Sequence, residues 1–126
     1  MGAVSRLRAG QSAELGKAGE KAAGDFLRSR GFQVVGAGFR ARRGEIDLVC
    51  RRGGSLYVVE VKTRTSDAFG TPLSAVGPRK RQALMSAAAE YRALTEWRGP
   101  IVFAVVSLTL NRDGRFDAEL TEDPFD

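Results

Sequence analysis

The chain has 126 residues, 43% of them hydrophobic and 28% charged, which suits one soluble globular domain with a real core. It has no histidine, one cysteine (Cys50) and no apolar run near the roughly 18 residues of a membrane span, so histidine triads, Cys–His pairs, internal disulfides and most zinc sites are excluded. The net charge of +5 is concentrated in residues 40–81, with ten basic groups against four acidic ones, and points to a polyanion partner, nucleic acid first; an arginine-rich composition is the plain alternative.

In chain order, residues 1–11 are small, polar and basic and read as a flexible tail, leaving 12–126 as one domain. No apolar signal segment precedes that domain, so a cytoplasmic protein is expected. Ser12 can cap a helix whose stripe is Leu15, Ala18, Ala22 and Phe26, with Gly31 as its stop. Phe32 to Val35 reads as a short strand, followed by a glycine-broken basic arm from Gly36 to Arg43. Glu45–Arg51 and Leu56–Thr63 alternate around the turn Arg52-Gly53-Gly54-Ser55 and predict a hairpin. Thr65 to Gly77 is a loop, and Pro78 opens a helix that buries Leu84, Ala87, Ala88, Tyr91 and Leu94 before Gly99-Pro100 ends it. Ile101 to Leu110 is nearly all apolar, as in a strand covered on both faces, and Arg115 to Leu120 pairs back as an edge. The order α-β-β-β-α-β, with one extra strand, predicts an α/β fold around a mixed sheet.

Strand parity places Glu45, Asp47 and Val49 on one face, and Leu56, Val58, Glu60 and Lys62 on one face of the next strand. Asp47 and Glu60 are acids inside apolar runs, and carboxylates are seldom buried unless paired or bound to metal. Brought side by side they repel, and a divalent cation between them turns that cost into a site. Lys62 lies two residues beyond Glu60, where an ammonium can orient water or hold a phosphate oxygen. Two carboxylates, a metal and a lysine are the parts needed to cut a phosphodiester. The alternative is a structural cluster in which Lys62 neutralises both acids. Arg40, Arg42, Arg43 and Arg64 suit a phosphate-tracking rim, with Arg51 and Arg52 at the far turn; a solvated strand edge is the plain alternative. Lys80, in the first turn of the second helix, suits the same anion or a merely solvated helix start.

Gly44-Glu45-Ile46-Asp47-Leu48-Val49 followed by Val59-Glu60-Val61-Lys62-Thr63-Arg64 resembles the PD-(D/E)XK nuclease superfamily, and within it the YraN family of uncharacterised bacterial proteins. Phe69-Gly70, the Lys80 helix and Gly19-Glu20 with Ala23 extend the resemblance to about residues 14–110. It implies a restriction-endonuclease-like core, Asp47 and Glu60 as ligands of Mg²⁺ or Mn²⁺, Lys62 as the catalytic lysine, and Glu20 as the helix glutamate completing the acidic cluster. The implied function is a metal-dependent nuclease acting on DNA or RNA, with no membrane partner and a homodimer left open. A nucleic-acid-binding module without cleavage, or an interaction domain using the acidic end of the chain, are the alternatives. Two positions depart from the family pattern: Gly38 stands where asparagine is usual, and Phe103-Ala104-Val105 where the last core strand usually has an aspartate.

Overall fold

The computed structural model describes residues 9–65 and 77–124, with side chains from residue 15 onward. Its elements are α1 (Ala9–Ser29), β1 (Gln33–Arg40), β2 (Glu45–Arg52), β3 (Ser55–Thr65), α2 (Pro78–Thr95), β4 (Ile101–Leu110) and β5 (Phe116–Glu122). The strands form one sheet in the order β1-β2-β3-β4-β5. Only β3 and β4 run parallel, joined by the crossover through α2; the other neighbours are antiparallel. This is the mixed α/β, restriction-endonuclease-like arrangement expected from the order of elements.

The sheet separates two apolar clusters, one under each helix. On one face Ala23 and Leu27 of α1 pack on Leu48, Cys50, Tyr57, Val59 and Val106. On the other, Leu84, Ala87 and Ala88 of α2 pack on Ile46, Val49, Leu56, Val58 and Val105. β3 and β4 supply both faces by simple alternation, which is why their sequences are apolar nearly throughout. Cys50 is wholly buried, and burial pushes its thiol up to about 11.

Several boundaries differ from expectation. Residues 1–8 of the expected tail and most of the loop after Thr65 lie outside the described residues, while Ala9–Gln11 belong to α1. The α1 contact stripe is Gly19, Ala23 and Leu27, with Ala22 and Phe26 on its flank and Ala18 exposed. A glycine sits at the centre of that stripe because the helix backbone approaches Thr63 there, leaving no space for a β-carbon. β1 runs on through its glycines to Arg40 instead of stopping at Val35. Leu94 is 68% exposed, since α2 ends at Thr95 and the partly buried Trp97 takes up that part of the sheet face.

The alternation expected of β2 also fails at one point. Ile46 packs under α2 with Val49, whereas Leu48 packs under α1, so two residues of equal parity lie on opposite faces. The partner strand flips at the same level: Phe39, paired with Ile46, joins the α2 cluster, while Ala37, paired with Leu48, borders a groove beside α1. Between them Gly38 has φ +65°, a conformation that glycine adopts freely and asparagine tolerates better than other residues.

Gly44, which opens the GEID segment, sits against α2, and a β-carbon there would lie 2.6 Å from the carbonyl oxygen of Ala83. Gly44→Ala should therefore cost about 1–3 kcal/mol in a urea melt, as overpacked sites do. Gly54→Ala, with open space around it, should stay within about 0.5 kcal/mol.

Candidate metal centre and basic rim

The β2–β3 ladder runs from Arg52↔Ser55 to Leu48↔Val59 and ends there, one step before Asp47 would face Glu60. The Asp47 side chain fills the break. Its Oδ2 accepts a hydrogen bond from the Val61 N–H at 2.8 Å, standing in for the backbone carbonyl that a continued ladder would offer. That bond holds the carboxylate between the two strands, in the gap of the sheet. Pairing would have turned Asp47 to one face; the break leaves it lining the cleft beside α1 while it feels the charges of Glu60 and Lys80.

On the α1 side Asp47 lines a cleft of about 370 Å³ with Leu15, Gly16, Glu20, Val61 and Thr63. The close approach of Gly19 to Thr63 brings Glu20, the next residue, to this cleft. On the α2 side Glu60 follows Leu56 and Val58 on the same face of β3 and is 6% exposed. Its charge is taken by Lys80, whose Nζ lies 2.8 Å from Oε1. The hydrogen bond to Glu60 raises the Lys80 pKa above its usual value, and the charges of Glu60, Asp47 and Glu45 add to that effect. Asp47 is also raised from 3.8, first by burial and then by the negative charges of Glu60 and Glu20; the Val61 N–H and Lys80 act the other way.

The residues singled out in the sequence therefore meet in part. Asp47 shares a cleft with Glu20 and the electrostatic field of Glu60 and Lys80. Lys62 has the parity of Glu60, lies beside Ser107 of β4, and makes no ion pair among the described residues. The lysine that neutralises a site acid is Lys80, a partner that no spacing within one strand could reveal. Glu45 is exposed and 3.9 Å from Arg40 across the first strand pair. Arg42 and Arg43 are exposed at the tip of the β1–β2 turn, which is pinned to α2 by the Arg42 N–H on Glu90 Oε2. Arg64 follows on β3 beside Thr109.

Arg51 and Arg52 belong elsewhere. Arg52 stacks on Phe32 and Tyr57 and pairs with Glu122, while Arg51 lies over Trp97, so both brace the far end of the sheet. Sequence reasoning also passes over a groove beside α1, about 310 Å³, lined by Lys17, Lys21 and Arg28 above Val34, Ala37 and Leu48. It shares Glu20 with the Asp47 cleft. Helical spacing of Lys17, Lys21 and Arg28 is the signal that could have found it.

The donor set offers carboxylate oxygens, the chemistry of a hard divalent cation: Glu60 is buried, Asp47 is half-buried with its pKa raised, and the chain has no histidine to compete for such an ion. Among the described residues no group of three acids is drawn together closely enough to form a finished metal cage. Glu20 and Asp47 share one cleft, and Glu60 is held by Lys80.

A buried acid with a raised pKa binds its proton more tightly folded than unfolded, so its ionisation weakens the fold as pH rises through the window just above 3.8. Without divalent cations, Asp47→Asn, which keeps an oxygen for Val61, should raise the melting temperature at pH 7 by about 2–6 °C. That gain should vanish below pH 3.8, where the wild-type acid is also neutral. Thermal melts in chelator across this pH range check both parts.

A family model described as uncharacterised protein family UPF0102 matches residues 19–118, a span that holds Glu20, Asp47, Glu60, Lys62 and Lys80. A UPF0102 protein of Symbiobacterium thermophilum is 40% identical over 115 residues, covering 90% of this chain and 98% of the relative. A second, from Solibacter usitatus, is 43% identical over 120 residues, with 91% and 90% covered. A third, from Syntrophomonas wolfei, is 45% identical over 103 residues, with 81% and 89% covered. With matches of that extent, the chain belongs to the uncharacterised UPF0102 (YraN) family.

Proposed function

We propose that this protein is a divalent-metal-dependent phosphodiester hydrolase acting on nucleic acid. The observation that carries the reading is the broken β2–β3 ladder, which holds the Asp47 carboxylate in a gap beside Glu60 and Glu20 at a cost to its own ionisation. A carboxylate set in a strand gap within the field of two other acids is unfavourable for the fold by itself. Catalytic and binding sites hold such groups, because the unfavourable charge is offset by the ligand it attracts.

Asp47 and Glu60, with Glu20 across the cleft, are the residues that would hold Mg²⁺ or Mn²⁺. Such an ion supplies Lewis acidity toward a phosphoryl oxygen and lowers the pKa of water. The protein's own groups do the rest. Lys62, two residues beyond Glu60 on β3, orients the attacking water or steadies charge building on the phosphate. Arg40, Arg42, Arg43 and Arg64 hold flanking phosphates, which fixes position without reading sequence. The Lys17–Lys21–Arg28 groove extends the basic surface away from the cleft along α1. Exposed ion pairs of Lys21 and Arg28 with Asp25, at 3.2 and 3.4 Å, are weak enough to yield to a phosphate. A second reading, a nucleic-acid-binding module without cleavage, is favoured by one observation, the Lys80 ammonium already seated on Glu60.

Lys62 separates the two readings. Among the described residues it has no ion pair that holds the acids together, so Lys62→Ala should fold with a melting temperature within a few degrees of wild type. Metal and nucleic-acid affinity should persist while single-turnover cleavage falls by roughly 10²-fold or more. A screen over single-stranded, linear and branched substrates with Mn²⁺ identifies the substrate for that measurement; cleavage unchanged by Lys62→Ala would refute the catalytic role.

Replacing Arg40, Arg42, Arg43 and Arg64 together by alanine should weaken binding to DNA or RNA for every sequence tested. The slope of log affinity against log salt should fall by about 0.7–0.9 for each phosphate that is no longer neutralised. Gel shifts at several salt concentrations give both quantities, and an unchanged slope would reduce the rim to a solvated edge.

A further inference from the structure

Glu60 is the site acid whose charge is already satisfied. Its side chain is 8% exposed, and the Lys80 ammonium meets it from the first turn of α2 while remaining 48% exposed itself. That ammonium also lies in the field of Asp47 and Glu45, so it stands as the positive centre of an acidic group. Lys62, the lysine that strand spacing assigns to these acids, pairs with none of them. Asp47 in turn is held by a backbone N–H. Asp47 and Glu60 are thus each fixed by a separate donor, and no three acids converge among the described residues.

We propose that Lys80 is an intrinsic counter-ion of the metal centre: it occupies Glu60 in the metal-free protein, a divalent cation binds by displacing it, and the released ammonium becomes available to a substrate phosphate. The inference rests on the metal-dependent reading above. The physical case is one of competition for a single carboxylate. A buried Glu60 carboxylate without a cation is costly, so while it is ionised a positive group is favoured on it. An ammonium on a flexible four-carbon stem, half in water, leaves that post at small cost, because its charge is readily hydrated. The consequence is lower affinity, since a site whose competent form is only fractionally populated binds its ligand more weakly by that fraction. What the arrangement provides is order. Lys80 is freed beside the β1–β2 turn that carries Arg42 and Arg43, whose Gly44 packs against Ala83 one helical turn further along α2. The phosphate-binding charge would then be complete only after the metal has arrived.

The test is calorimetric titration of Mn²⁺, without nucleic acid, into wild type, Lys80→Met, Lys80→Arg and Glu60→Gln. Lys80→Met removes the competitor and should bind Mn²⁺ about tenfold more tightly, within the range of ordinary site-to-site coupling. Lys80→Arg keeps the charge but grips a carboxylate with two parallel N–H groups, and should bind several-fold more weakly. A general field effect of the charge, without occupation of Glu60, predicts no change for the arginine variant, and that result would overturn the proposal. Equal or weaker affinity in a folded Lys80→Met would overturn it too. If Lys80→Met does not fold, the arginine variant decides alone. Mn²⁺ binding by wild type that Glu60→Gln abolishes and both Lys80 variants leave unaltered would defeat this inference while sparing the metal-dependent reading. Absence of Mn²⁺ binding in wild type and both Lys80 variants would end both.

Discussion

One hydrogen bond organises the acidic end of this sheet, the Val61 N–H donated to Asp47. An antiparallel ladder that continued past Leu48↔Val59 would set Asp47 opposite Glu60 and leave no gap. Stopping the ladder frees a half-buried backbone N–H, and such a group is costly without an acceptor. The aspartate provides it, and by doing so is fixed between two strands with one helix on either side. The cleft shared with Glu20, the field of Glu60 and the reach of Lys80 all follow from that position. The same break lets Ile46 and Phe39 turn under α2, so the flaw in the ladder also completes the second core cluster.

The two helices are brought to the site by absent side chains. α1 meets β3 at Gly19 and the β1–β2 turn meets α2 at Gly44, and in each place a single β-carbon would force the elements apart. Close packing makes these contacts rigid, so an acid on α1 and a lysine on α2 are positioned by the core and not by their own flexible stems. Charge is divided between the two ends of the sheet in a similar way. Arginines at the far end are absorbed by Trp97, Phe32, Tyr57 and Glu122, whereas Arg42 and Arg43 stay exposed at the turn that flanks the site.

The site carries two lysines in different circumstances. Lys80 is held by the acid it neutralises, and its proton is bound more firmly for that reason. Lys62 is the member of the E-x-K triplet and has no ion pair among the described residues to occupy it. With Lys80 neutralising Glu60, no ion pair among the described residues gives Lys62 a part in holding the acids together.

Much of this protein is decided within single elements and is legible there. The hairpin, the apolar β4, the proline-led α2 and the parity that joins Glu60 to Leu56 and Val58 are consequences of short-range periodicity and turn chemistry, which act between residues close in sequence. The candidate acids stand out because charge inside an apolar run is anomalous whatever surrounds it. Tertiary structure decides the rest. Whether a ladder continues or breaks depends on the twist of two strands and on what each helix requires of its face, so the turning of Ile46 against Leu48 has no trace in β2 alone. The α1 stripe departs from its apolar pattern because a glycine looks like a weak core residue until a neighbouring strand presses against it. The pairing of Glu60 with Lys80 spans the whole β3–α2 connection. Electrostatic partners separated by that much chain are chosen by packing, since only the folded core brings the first turn of α2 over the buried end of β3.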